Sequence, residues 1–216
     1  MVYATLAIAV LLIALVFGVM RWNQRRQVSL AYATPSPGAN ANARQIPLTD
    51  GESLGIPALP KRTAASPLGA PVDGVACDAG MAESGEFLHV HSHLALFVHG
   101  RQLQIPAKIG FTPTATGGCL YWIHTHDASG IIHVESPRLT APGGDAFTLG
   151  SFFRVWGEQL TRREIGPYSG KVTAFVNGAP YAANLDTIPL YSNQQITLEI
   201  GLPIVKPPRY GFPPNY

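Results

Sequence analysis

All seven histidines of this 216-residue chain fall between residues 89 and 133. Five of them come at intervals of two, as His89, His91 and His93 and then His124 and His126, with His133 just beyond. Successive side chains of a β-strand point to opposite sides, so a spacing of two puts each run on one face of a strand. The surrounding residues agree. In the stretch from Phe87 to Phe97 the alternate positions Leu88, Val90, Ser92, Leu94 and Leu96 are mostly apolar and should face a core, which leaves His89, His91 and His93 together on the other face.

The same period-two pattern, punctuated by Gly, Pro and Asn, recurs through residues 71–205. It predicts an all-β domain, a small sandwich or barrel of short, mainly antiparallel strands with one short helix. Strands are expected near 87–98, 101–106, 120–126, 131–136, 171–177 and 195–200. Val98-His99-Gly100-Arg101 and Val176-Asn177-Gly178-Ala179 read as hairpin turns. Leu149, Phe152, Phe153 and Trp156 recur at helical spacing behind Thr148, a candidate N-cap, and read as core packing. His99, in a turn, reads as an ordinary surface histidine.

Residues 2–20 carry no charge and approach the ~20 apolar residues that cross a bilayer, so a single transmembrane helix is expected to precede the domain and attach it to a membrane. A cleaved signal peptide is the alternative, but the nearby Ala31-Tyr32-Ala33 site lies well past the apolar run, beyond Arg21, Arg25 and Arg26. Residues 21–70 become rich in Pro, Ala and Asn and read as a flexible tether; residues 206–216, with four prolines, read as an extended tail. Formal charge is only +2 and the fifteen Lys and Arg are scattered, which argues against a nucleic-acid partner.

Two cysteines, Cys77 and Cys119, precede the two histidine runs and are expected to pair as a disulfide in an oxidising compartment, with the β domain on the extracytoplasmic side. The Arg21 to Arg26 cluster, following the apolar run, pulls the other way under the positive-inside rule.

A hairpin with Asp127 to Gly130 as its turn sets His124 opposite His133, His126 opposite Ile131 and Trp122 opposite Glu135. Partners across strands have Cβ atoms ~4.5 to 5.5 Å apart, so three imidazoles converge on one patch, with Ile123, Ile132 and Val134 anchoring the other face. Three such imidazoles suit a metal ion with an open coordination position. His124, His126 and His133 are the central candidate ligands, the row of His89, His91 and His93 an additional set, Glu135 a candidate fourth ligand, and Asp127 a candidate partner for the outer nitrogen of a ligating histidine. Zinc and copper are the ions that fit. A disulfide takes both thiolates away and Met81 is the lone methionine beyond the anchor, so a copper electron-transfer centre or sulfur-based Cu(I) storage does not fit.

The segment Cys119-Leu120-Tyr121-Trp122-Ile123-His124-Thr125-His126-Asp127-Ala128-Ser129-Gly130-Ile131-Ile132-His133-Val134-Glu135-Ser136-Pro137, followed by Phe147 to Gly157, resembles a group of uncharacterised bacterial envelope proteins. The likeness extends over roughly residues 88–201. It implies a shared site at His124, His126 and His133 and implies no particular activity.

Three functions are compatible with these residues. The first is a membrane-anchored module that captures copper or zinc and holds it or hands it on. The second is an enzyme whose metal-bound water attacks a small electrophile while Glu135 or Asp127 moves the proton, although no helix-borne His-Glu-x-x-His motif accompanies the site. The third is a structural or interaction domain stapled by metal.

Overall fold

The computed structural model describes residues 13–20, 45–61, 69–80, 88–114, 117–141, 144–214 and 216. These residues are mostly β, in open sheets that do not close into a barrel, an arrangement consistent with a sandwich. No helix among them is long and apolar enough to cross a membrane. Of the anchor expected at 2–20, residues 13–20 are helical and exposed, and the rest lies outside the described residues, as does 21–44.

The strands are β1 (Ile46–Pro47), β2 (Cys77–Asp78), β3 (Leu88–Val98), β4 (Arg101–Leu103), β5 (Phe111–Thr114), β6 (Gly117–Tyr121), β7 (Ile123–His124), β8 (Ile131–Ser136), β9 (Glu164–Ile165), β10 (Tyr168–Ser169), β11 (Val172–Val176), β12 (Ala179–Pro180), β13 (Gln194–Ile200) and β14 (Tyr210–Gly211). The main sheet runs β12-β11-β13-β3-β8-β7, with β4 also paired to β3. A smaller sheet runs β2-β6-β5. Strand β3 is the axis of the molecule: β8 lies antiparallel on one side, and β13 lies parallel on the other. The strands pair mainly antiparallel, as expected, and this parallel pair is an exception. Parallel neighbours are joined by long crossovers, so no hairpin turn marks them in the sequence.

Both predicted hairpin turns form. His99 and Gly100 have φ of 49° and 74°, and Asn177 and Gly178 have 53° and 79°, the paired positive values that a tight type I′ turn requires. The helix α1 (Leu149–Trp156) also forms where expected, with the Thr148 side chain accepting from Ser151 N at 3.2 Å and Gly157 closing the far end in the left-handed conformation. Its buried Phe152, Phe153 and Trp156 join Leu88, Val90, Leu94 and Leu96 of β3 and Ile132 and Val134 of β8 in the main core. Each such side chain contributes ~1.5 to 3 kcal/mol by leaving water.

The opposite face of β3 is covered as well. Residues 45–61, within the stretch whose composition reads as tether, lie against the domain: β1 pairs with β14, Leu54 N donates to Ala128 O at 3.0 Å, and Ile56 N donates to Gln102 O at 3.0 Å. The tail is extended, as its prolines require, and it packs. Tyr210 is buried with Leu48, Ala95, Phe97 and Ile131 in a second apolar cluster. Local composition misses this because the segment contributes few apolar anchors of its own and borrows its partners from strands far along the chain.

Candidate metal centre

The expected strand 120–126 is broken. A bend at Trp122 separates β6, which pairs with β2 and β5, from β7, which pairs with β8. Trp122 still occupies its expected place, since its carbonyl accepts from Glu135 N at 2.8 Å. The bend lets one continuous segment serve two sheets, and the disulfide between Cys77 and Cys119, with Cα atoms 5.4 Å apart, ties β2 to β6 just before it. Helix α1 packs behind β7. Gly110, with φ of 82°, passes so close that a Cβ there would lie 3.0 Å from His124 Cβ. The strand that carries His124 is therefore held from both sides.

Three adjacent strands then place their side chains on one face. In register, His91 of β3 lies beside His133 of β8, which lies beside His124 of β7, while His89 lies beside Glu135. His126 follows β7 in the loop rather than continuing a strand opposite Ile131, and its Nε2 comes within 3.0 Å of His124 Nε2. Glu135 Oε1 is the meeting point: His133 Nδ1 lies 3.3 Å away, His124 Nε2 and His89 Nε2 each 3.4 Å, and His126 Nε2 3.6 Å. Donor atoms of His124, His126, His133 and Glu135 all lie within 4.8 Å of one another, as do those of His89, His91 and His133, and either group could hold a metal ion. The two histidine rows thus meet at His133.

His124 is completely buried, and its Nδ1 lies 2.8 Å from Tyr121 O. A carbonyl can only accept, so Nδ1 carries the proton and Nε2 presents its lone pair to the cluster. This backbone carbonyl holds the place expected for Asp127. The Asp127 carboxylate instead ties down the turn, Oδ1 accepting from Ser129 N at 3.0 Å and Ser129 Oγ at 2.5 Å, and Oδ2 accepting from Gly51 N at 2.8 Å. Short Asp side chains favour such local bonds two residues on.

His93 departs from the row. It shares the face of His89 and His91 but belongs to neither donor group. Its Nε2 lies 2.8 Å from Ser129 O, and its ring stacks on Tyr210 at 3.9 Å. Strand rise carries it ~7 Å beyond His91, where the hairpin turn and the tail fill the space. His99 stays in its turn, outside both groups.

Burial and the neighbouring imidazoles of His133 and His89 lower the His91 pKa to about 3, and burial lowers that of His133 to about 4 against the pull of Glu135. Both rings are therefore neutral near pH 7, the form that ligates. Burial alone would raise the Glu135 pKa, but the close approach of the His124, His126 and His133 rings outweighs it and holds the carboxyl well below the usual range. His133 Nδ1, although near Oε1, is not aligned for a hydrogen bond and has no partner of that kind.

The cluster opens into a pocket of 450 Å³ lined by Asp50, Gly51, His89, His91, His126, Asp127, His133, Glu135 and Tyr216. His126 is half exposed at its edge, with 48% of its side chain accessible. Tyr216 lies with its ring 4.5 Å from that of His91, and burial together with a hydrogen bond to Asp50 pushes its hydroxyl up to about 12. Neither Asp50 nor Tyr216 was legible as part of the site, because each lies in a flanking segment whose docking depends on distant strands. No protein-family model matches the chain, and neither does any curated protein or solved structure.

Proposed function

We propose that this protein is a membrane-anchored, extracytoplasmic metal-binding protein that captures zinc or copper(II) on His124 Nε2, His126 Nε2, His133 Nδ1 and Glu135 Oε1 and holds the ion for handover. One observation carries the reading. Bonds of ~2.0 to 2.1 Å around a tetrahedral ion put neighbouring donors ~3.3 to 3.4 Å apart. Four of the six spacings in this set are 3.0 Å for His124 to His126 and 3.3, 3.4 and 3.6 Å from Glu135 to His133, His124 and His126, and all six are within 4.8 Å. An ion would also satisfy His133 Nδ1, which is buried without a hydrogen-bond partner.

Three imidazoles and a carboxylate suit zinc and copper(II), and both cysteines are consumed in the disulfide, so no thiolate competes. Glu135 within the donor set fills the position that water activation would need, which favours binding over catalysis. The half-exposed His126 and the open pocket give an ion a way in and out. The apolar run at 2–20 supports membrane attachment, and the disulfide supports an oxidising compartment.

The test is elemental analysis of the full-length, untagged protein in detergent after reconstitution with Zn(II) or Cu(II) and gel filtration. Metal should be retained. His124→Ala should weaken its affinity by about 100-fold, on the order of 3 kcal/mol. A folded protein that retains no metal after reconstitution would refute the reading.

A further inference from the structure

We infer that the pocket holds two ions, the second on His89, His91 and His133, with His133 bridging the pair through its two ring nitrogens. This inference rests on the metal-binding reading above and deepens it. One tetrahedral ion uses three imidazoles and Glu135, yet five imidazoles belong to the donor groups on this face. They do not all converge on one point. They fall into two groups whose only common member is His133.

The placement of His133 explains why. On the middle strand of three, it is paired directly with His91 on one side and with His124 on the other. Its Nδ1 faces Glu135 Oε1 at 3.3 Å, within the first donor set. The His91 ring meets it edge to face at 4.6 Å, and His89 lies 4.7 Å from His91. An imidazole has its two nitrogens on different edges of the ring, so both cannot serve one ion. With Nδ1 committed to the first ion, Nε2 is the donor left for the second. Glu135 Oε1, 3.4 Å from both His124 Nε2 and His89 Nε2, lies between the two groups.

The charges and protons balance. After the first ion binds Nδ1, the single ring proton of His133 resides on Nε2; the second ion displaces it to solvent and leaves an imidazolate. His89 and His91 each bind through one ring-nitrogen lone pair. Two divalent ions then face two anionic ligands, the imidazolate and the Glu135 carboxylate, and the Asp50 and Asp127 carboxylates at the pocket wall offset the remaining charge. No redox step is involved.

The deciding experiment titrates full-length, untagged, metal-free protein in detergent with Cu(II), following bound metal, proton release and the electron paramagnetic resonance signal. Two equivalents should bind. The first should give the signal of an isolated copper(II), and the second should diminish that signal, because an imidazolate bridge couples the two spins antiferromagnetically. About one proton should leave His133 with the second ion. His89→Ala, at a side chain that is 47% exposed, should reduce two equivalents to one, and so should His91→Gln, with the fold of both variants checked by circular dichroism. Wild-type protein that binds one equivalent, unchanged by His89→Ala, would overturn the second ion and leave the first site standing. Two equivalents whose signals simply add would overturn the bridge. Binding of none would overturn the metal-binding reading itself.

Discussion

His91 and His93 stand two residues apart on the same face of the same strand, both buried, yet one belongs to a cluster that could hold a metal ion and the other to an apolar layer. The half of the face around His89 and His91 meets polar partners from β7 and β8. The half from His93 through Ala95 to Phe97 is covered by Leu48 and Tyr210 from the segments that flank residues 71–205. The lesson concerns neighbours rather than residue type. An imidazole whose flank is filled by Tyr210 and the carbonyl of Ser129 is packing material, whereas one placed beside another imidazole and a carboxylate is a candidate ligand.

The largest expected effect tests whether the halves separate under acid. Burial depresses His91 to about 3 and His93 and His133 to about 4 from an ordinary value of 6.5. The native state therefore binds fewer protons than the unfolded chain between those limits, so stability is full above pH 6.5 and declines as pH falls toward 3. Glu135 acts in the same sense below its ordinary value of 4.5, because its folded pKa is lowered. Urea unfolding at a series of pH values should show this decline. Saturating Zn(II) should raise stability near pH 7 yet steepen the decline from the polar half, because bound metal keeps protons off its nitrogens in the native state while the unfolded chain still takes them up, and His93→Gln should remove only the share of the apolar half. A midpoint independent of pH from 7 to 4 would contradict the buried, neutral imidazoles.

A smaller effect dissects the apolar half. Tyr210 is buried, stacks on His93 and donates its hydroxyl to Gln102 Oε1 at 3.2 Å. Tyr210→Ala should cost about 4 kcal/mol of stability, as large aromatic truncations do, yet leave Zn(II) affinity within about threefold, a difference under 1 kcal/mol. Equal losses of stability and affinity would mean that the two halves act as one unit.

The smallest probes the seam between them. Gly130 has φ of 88°, and a Cβ there would meet Leu94 O at 2.5 Å and His93 Nε2 at 3.1 Å. Gly130→Ala should therefore cost about 2 kcal/mol, from a strained backbone and a displaced turn. A melting temperature equal to that of the wild type would show that the hairpin turn is not pressed against β3.

Much of the site was readable from parity and turn chemistry. His124 opposite His133 follows from placing the turn at Asp127 to Gly130, and the Cys77 to Cys119 disulfide and the Thr148 cap follow from equally local signals. The role of Asp127 as a tie for its own turn was within reach too, since Asp127-Ala128-Ser129 carries the spacing of such a bond. The bend at Trp122 was not, because a strand that changes sheets looks locally like one that continues.

By itself, the sequence determined which side chains share a face, because the alternation of a strand is a property of the backbone and needs no partner. It thereby determined that His89 and His91 stand on one face of β3 and that His124 and His133 converge. Only the tertiary structure decided that β3 and β8 are neighbours, so that two histidine rows become one cluster about Glu135 Oε1, that His93 is lost to the apolar layer, and that Tyr216 and Asp50 wall the pocket. Those outcomes depend on contacts between segments far apart along the chain, whose pairing is set by the burial of whole faces rather than by any local residue preference.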